Sequence, residues 1–338
     1  MEEKVLMIEG LSVVFPTRKG EIRAADHVSL AVQKGKITGL VGESGCGKSV
    51  TARAVMDLIR TPGRVTGGQI WLDGRNLTGM RKKERRMLRG REISMIFQDP
   101  MTSLNPVMKA GKQIEEVVRL HEHVSGTEAR QRTLEMMAAA GIPDPEGRYH
   151  CYPHQLSGGL RQRVMIAMAM ICRPKLLIAD EPTTALDVTV EAQILHLMKK
   201  LCGGGTSILL ISHNLGVIAR ACDDVYVMYA GRIAEHAEVC TLFDRPAHPY
   251  TKGLLNAVSS LRTGGEELDM IPGNVPNLLR LPAGCSFSPR CGRCRQECTE
   301  RMPELREIAA GHSVRCFGAD GGPGQSAAGS GTGGGTAE

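Results

Sequence analysis

Aromatic residues are scarce in this 338-residue chain: five Phe, five Tyr and one Trp. A protein that binds single strands by base stacking draws on more of them, so no nucleic-acid partner is expected. Long apolar runs are absent as well. Val164–Cys172 and Ser207–Ile211 are the longest candidates, and both fall short of the roughly 18–20 residues that span a bilayer. The opening Met1-Glu-Glu-Lys has no basic stretch leading into an apolar one, so no secretory leader is expected. Charge is nearly balanced, 42 basic residues against 36 acidic for a net of +6, which suits an anionic ligand or surface without singling one out. With 42% hydrophobic and 23% charged residues, wholesale disorder is excluded. No internal repeat is found.

Cysteine, in contrast, is plentiful. Six of the eleven stand singly, at Cys46, Cys151, Cys172, Cys202, Cys222 and Cys240, and five crowd into 285–316. Without an export signal a disulfide framework is not expected. The single thiols are read as small buried apolar residues.

Apolar β-type runs alternate with helical stretches from Met1 to about Arg262, the pattern of an α/β core. Lys36–Val41, Gln69–Leu72 (turning at Asp73-Gly74), Ile93–Phe97, Leu176–Ala179 and Ile208–Ile211 read as strands. Helices are expected from Lys48 to about Ile59, over Gly111–Leu120, over Thr127–Ala140 with Gly141 as its cap and Pro143 as its stop, and over Ser157–Ile171, read as Met-rich and amphipathic. Arg81–Arg91, with seven basic residues and one acid, reads as a solvated helical surface. Thr263–Gly284 reads as a connecting segment. The Gly-rich tail 318–338 lacks the apolar surface to offset its ordering entropy and is expected to be disordered.

Gly42-Glu-Ser-Gly-Cys-Gly-Lys-Ser49 fits the phosphate-loop pattern GxxxxGK[ST], set between an expected strand and helix. Gly42, Gly45 and Gly47 let the backbone turn its N–H groups inward, and the helix N-terminus adds positive potential. Glu43, Ser44, Cys46 and Val50 complete the loop and its exit. Lys48 is expected to reach the β- and γ-phosphates, and Ser49 to ligate Mg²⁺. Asp180 ends an apolar strand, where it can hold the metal shell, and Glu181 follows it, placed to polarise an attacking water. Two adjacent carboxylates at a buried strand end are unfavourable without a cation.

Leu156-Ser-Gly-Gly-Leu-Arg-Gln-Arg163 resembles the signature motif of ATP-binding cassette (ABC) proteins, with Leu160 where Gln or Met is commoner. In order along the chain, Gln98 resembles the Q-loop glutamine, Ala185-Leu-Asp187 the D-loop and His213 the switch histidine. Phe15 lies where the family stacks an aromatic on adenine. Met95–Pro106 is similar to the extended Q-loop of oligopeptide, dipeptide and nickel importer ATPases. Ala247-His-Pro-Tyr-Thr-Lys252 and Gly284-Cys-Ser-Phe-Ser-Pro-Arg-Cys291 match that subfamily's C-terminal segments. The resemblance spans Val5 to Cys316.

It implies an α/β fold: a P-loop nucleotide-binding domain over 1–262, with a RecA-like core, an antiparallel β subdomain and a helical subdomain at about 99–172, then a small cysteine-rich C-terminal region over 263–317. It also implies ATP hydrolysis with Mg²⁺ held by Ser49, Gln98 and Asp180. Glu181, Gln98 and His213 act at the reacting end. Ser157, Gly158, Gly159 and Gln162, with Asp187, address ATP on a facing subunit. The implied assembly pairs this chain with a second ATPase, a heterodimer being favoured over a homodimer. Two transmembrane permease subunits and an extracytoplasmic substrate-binding protein complete it, and the chain lies on the cytoplasmic face of the membrane. Peptides are the leading substrate, a nickel or other small-solute importer the alternative, and an exporter subunit is a more distant one. The single cassette argues against a repair or translation ATPase, and intact Glu181 and His213 argue against a module that binds nucleotide without hydrolysing it.

The clustered thiols are spaced Cys285-x5-Cys291-x2-Cys294-x3-Cys298, with Cys316 beyond. By spacing alone they suit zinc, iron–sulfur or redox chemistry. The resemblance puts ligands at Cys285, Cys291, Cys298 and Cys316, where some members hold a [4Fe–4S] cluster, with Cys294 as a possible substitute. Arg290, Arg293 and Arg295 are read as offsetting the charge of such a cluster, whose expected role is structural.

Overall fold

A computed structural model of the chain describes residues 3–99, 103–184, 186–263 and 271–319. The expectations for Met101, for Ala185 and for most of the Gly-rich tail lie outside the described residues.

Two sheets organise the fold. Among the described residues the core sheet has eight strands, and the five at one end are parallel: β3 (Ile37–Val41), β6 (Ile93–Ile96), β7 (Leu176–Asp180), β8 (Ser207–Ser212) and β9 (Asp224–Tyr229), in the order β9-β3-β8-β7-β6 with β6 at the edge. Every residue of β3, β7 and β8 is buried, as expected for parallel strands covered on both faces. Antiparallel β10 (Arg232–Glu238), β12 (His312–Val314) and β11 (Arg306–Ala309) extend the β9 edge. The C-terminal region is therefore stitched into the core sheet through Glu235↔Val314 and His236↔Ser313, and the boundary expected at 262/263 is crossed by hydrogen bonds.

The second sheet is antiparallel, in the order β2-β1-β4-β5. Strands β1 (Lys4–Thr17) and β2 (Gly20–Gln33), 14 residues each, form a hairpin, joined by β4 (Arg64–Leu72) and β5 (Arg75–Asn76). The expected strand Gln69–Leu72 is thus the second half of a longer one.

Helix α1 (Lys48–Val55) leaves β3 and ends a turn earlier than expected. The basic helix α2 (Lys82–Leu88) has no buried residue, in line with a solvated surface. Helices α3 (Ala110–His121), α4 (Gly126–Ala139), α5 (Pro145–Tyr149) and α6 (Gly158–Met170) pack together as a helical layer. Its centre is Tyr149, 1% exposed, whose hydroxyl hydrogen-bonds the Glu115 carboxylate. Gly111 admits the ring, since a Cβ there would stand 2.0 Å from Tyr149 Cδ2. Helix α6 is not amphipathic as expected. Gln162, Val164, Met165, Ile166, Ala167, Ala169 and Met170 are all buried, because it runs between the other helices and the core sheet. Helices α7 (Val188–Gly203), α8 (Leu215–Ala221), α9 (Val239–Asp244), α10 (Pro249–Thr263) and α11 (Gln296–Glu300) complete the described helices. Of the single thiols, Cys46, Cys202 and Cys222 are buried, Cys151 and Cys172 partly so, and Cys240 is exposed, contrary to expectation.

Candidate functional site at the carboxyl edge of the core sheet

Parallel strands deliver their following loops to one edge. Here β3 delivers the phosphate loop, β6 Gln98, β7 Asp180-Glu181 and β8 His213. The loop hugs the sheet so closely that side chains are excluded. A Cβ on Gly42 would lie 2.1 Å from the Met228 carbonyl, and one on Gly47, at φ 109°, 2.1 Å from that of Ala24. Ser44 and Gly45 form its exposed crest, while Cys46 and Lys48 are buried. The Lys48 ammonium is held inward, donating to the carbonyls of Gly42 at 2.7 Å and Glu43 at 3.0 Å.

Ser49 Oγ donates to Asp180 Oδ1 at 2.8 Å. Asp180 is 1% exposed. Burial raises its pKa, against the pull of the Ser49 hydrogen bond and the Arg53 charge, with Glu181 adding to the rise. A buried carboxylate destabilised by burial and a like charge, beside a hydroxyl, is a hard-oxygen donor set that a divalent cation would relieve.

Glu181 occupies a left-handed conformation at φ 50°, uncommon for a non-glycine residue and a mark of functional strain. Its N–H is anchored on the Ile211 carbonyl. Three groups converge on its Oε2: Gln98 Nε2 donates at 2.9 Å, Thr184 Oγ1 donates at 3.1 Å, and His213 Nδ1 lies at 3.1 Å. The structure thus brings together all three residues expected at the reacting end, and adds Thr184, which no motif reading singled out. Gln98 faces Glu181 here, and Ser49 and Asp180 pair without it.

Phe15 and Val50 line a cavity of about 410 Å³ with Arg53, Leu58, Arg60 and Phe97, large enough for a planar base. Ser157 caps α6, accepting from the Leu160 N–H, and is exposed beside Gly158. Gln162 is 2% exposed, because the burial of α6 carries it inside. Its expected contact with a facing nucleotide is not available in this conformation. Asp187 is exposed and caps α7 through the Val190 N–H.

Cys285, Cys291, Cys298 and Cys316 line one cavity of about 80 Å³ with Arg293 and Arg295, while Cys294 is exposed. Burial, then the neighbouring thiols, push Cys285 up to about 11, and burial raises Cys291 and Cys316 too. Among the described residues no group of three or more His, Cys, Asp or Glu stands ready to hold a metal ion. Arg290 does not face this cavity's charge as expected; it pairs with Glu43.

A family model described as "ABC transporter" matches residues 25–184, and one described as "Oligopeptide/dipeptide transporter, C-terminal region" matches 234–298. Among curated proteins the chain is 49% identical to the oligopeptide transport ATP-binding protein OppD of Salmonella typhimurium, over 93% of each chain. It is 47% identical to AppD, a protein of the same description in Bacillus subtilis, and 45% identical to the dipeptide transport ATP-binding protein DppD of Escherichia coli, over 93% and 92% of this chain and 96% of each relative. Among solved structures it is similar to an ATP-binding cassette captured as a dimer after hydrolysis with ADP and Pi (TM-score 0.63, 26% identity, covering 69% of this chain and 98% of that one).

Proposed function

The chain belongs to the ABC transporter family, in its oligopeptide and dipeptide transport branch, and on that premise we propose how its residues perform the work. It is the ATP-hydrolysing subunit that powers peptide import through a multisubunit ABC transporter. The observation that carries the assignment of roles is the convergence of Gln98, Thr184 and His213 on Glu181, beside the Ser49–Asp180 pair.

The loop N–H groups from Gly42 to Ser49 cradle the phosphates, and Lys48 turns from the Gly42 and Glu43 carbonyls to the β- and γ-phosphates. Phe15 and Val50 flank the adenine. Ser49 and Asp180 would hold Mg²⁺, with Gln98 as a further oxygen donor. When bound, Mg²⁺ offsets charge developing on the transferred phosphoryl group. Glu181 accepts the proton of the attacking water. His213 fixes the Glu181 carboxylate and contacts the γ-phosphate.

A second ATPase subunit faces this one, and Ser157, Gly158 and Gly159 close on its nucleotide, with Asp187 at the joint; a non-identical partner is favoured. No helix among the described residues is long and apolar enough to cross a membrane, and transmembrane permease subunits supply the path. The chain docks on them from the cytoplasmic face, and an extracytoplasmic binding protein delivers the peptide. Cys285, Cys291, Cys298 and Cys316 would hold a [4Fe–4S] cluster; their shared cavity and the chemistry of four thiols support this reading. Anaerobically purified chain is expected to carry about four iron, and stoichiometric zinc without iron would overturn this assignment.

The complex reconstituted with its permeases in vesicles should accumulate labelled peptide only with MgATP inside the equivalent of the cytoplasm. Hydrolysis that continues with no peptide movement in any complex containing the chain would contradict the transport role.

A further inference from the structure

We propose that Arg290 is a positioning residue of the ATP site: its guanidinium cancels the charge of Glu43 within the phosphate loop, so that the C-terminal region sets how well the loop accepts a nucleoside triphosphate. The proposal rests on the ATP-site reading above and adds a control to it.

The argument starts from a charge that opposes its surroundings. A phosphate loop attracts anions through N–H groups, a helix N-terminus and one lysine. A carboxylate in the loop repels the same ligand. Glu43 is the loop's second residue, and its carbonyl accepts from Lys48 Nζ at 3.0 Å. Arg290 answers that charge with a two-pronged contact, Nη1 to Oε2 at 2.8 Å and Nη2 to Oε1 at 3.1 Å. Its other donors reach Tyr229 Oη at 3.4 Å, the Ile271 carbonyl at 3.4 Å and the Pro272 carbonyl at 2.9 Å. All five N–H groups of the guanidinium are thereby used, and the residue is 8% exposed. A buried fork with every donor occupied is a specified contact, unlike a surface ion pair.

The backbone of Glu43 is gripped from the same side. Its N–H donates to Tyr250 Oη at 2.9 Å, and Tyr250 is fully buried. His248 Nδ1 accepts the Tyr250 N–H at 3.0 Å, and Phe287 packs on Tyr229 and Tyr250. This gives the His-Pro-Tyr segment a physical task, bracing the loop from outside the nucleotide. Arg290 directly precedes Cys291 of the thiol cavity. A change that moves Cys291 moves the residue beside it, so docking of the cysteine-rich region and charge balance in the loop form one mechanical unit.

The test titrates the full-length chain with a fluorescent ATP analogue and Mg²⁺. Arg290→Met should weaken binding about tenfold, since an uncompensated carboxylate then stands in the phosphate loop. Adding Glu43→Gln to that variant should restore affinity to within about threefold of wild type, because no counter-charge is then needed. Glu43→Gln alone should bind at least as tightly as wild type, and Arg290→Lys should lie nearer to wild type than Arg290→Met. These two serve if Arg290→Met does not fold. Melting temperature without nucleotide is read alongside, because affinity lost at an unchanged melting temperature cannot come from loosened structure. Wild-type affinity in Arg290→Met, a double variant as weak as the single, or weakened binding in Glu43→Gln would each overturn the proposal. Lys48→Ala is the control: retained ATP affinity there would overturn the ATP-site reading itself, whereas its loss beside an unaffected Arg290→Met defeats only this inference.

Discussion

At the carboxyl edge of the core sheet, Lys48 rests on two carbonyls, Asp180 on a serine hydroxyl, and Glu181 under three side chains. In the C-terminal region, four thiols share a cavity in which backbone N–H groups of Phe287, Arg293 and Gly318 reach three of them, and the two-pronged contact of Arg290 points to Glu43. The first region is pre-organised by the chain's own hydrogen bonds. The second has its thiols gathered in one cavity, with burial raising the pKa of Cys285, Cys291 and Cys316. One fold thus holds a site that is finished and a site that is only assembled, and a buried arginine joins the two.

The largest effect that separates them is at Asp180. Asp180→Asn should lower Mg²⁺-dependent ATPase activity on the order of 10²–10³-fold, the loss of several kcal/mol of charge stabilisation, while Cys298→Ser at the cavity should leave that rate far less changed. Comparable losses in the two variants would break the distinction. A smaller effect is expected in the helical layer, where Gly111→Ala forces a methyl against the Tyr149 ring. Overpacking of that kind costs about 1–3 kcal/mol, readable as a lowered midpoint in denaturant. A midpoint equal to wild type would show that the ring can move aside.

Acidification probes the brace between the regions. His248 is buried and neutral, with burial lowering its pKa from 6.5 to about 4. The unfolded chain then binds more protons between these values, so stability from this group is full above about 6.5 and is lost as pH falls toward about 4. His248→Gln should be less stable at pH 7 and should flatten the decline through that window; an unchanged decline would place its cause elsewhere. The smallest effect lies outside both regions. Arg86→Ala, on the solvated α2, should shift stability by less than about 0.5 kcal/mol.

The finished site was the legible one. Its residues sit in contiguous motifs directly after buried apolar strands, and strand ends in a parallel sheet meet in space whatever their distance along the chain. The hairpin β1–β2 was missed because register shifts interrupt its pairing, between Ile8 and Leu11, Leu11 and Val13, and Val13 and Val14. Each bulge resets the alternation that would mark a strand. Helix α6 misread for a related reason: a helix buried on nearly every face has no polar stripe, and its Arg161 and Arg163 mimic one. Gln162, given its role by the signature resemblance, lies on a buried face of that helix. The bond from Arg290 to Glu43 spans 247 residues, and no local pattern announces such a pair. Arg290 stood among three arginines beside cysteines, where composition favoured a partner nearby.

The central claim is that Glu181 activates the water that hydrolyses ATP. It is tested most directly by measuring ATP binding and ATP hydrolysis side by side in Glu181→Gln within the assembled transporter. Binding should match wild type while hydrolysis falls roughly 10²–10⁴-fold, as for loss of a general base, with the two ATPase subunits trapped closed on nucleotide. Turnover equal to wild type would contradict the account.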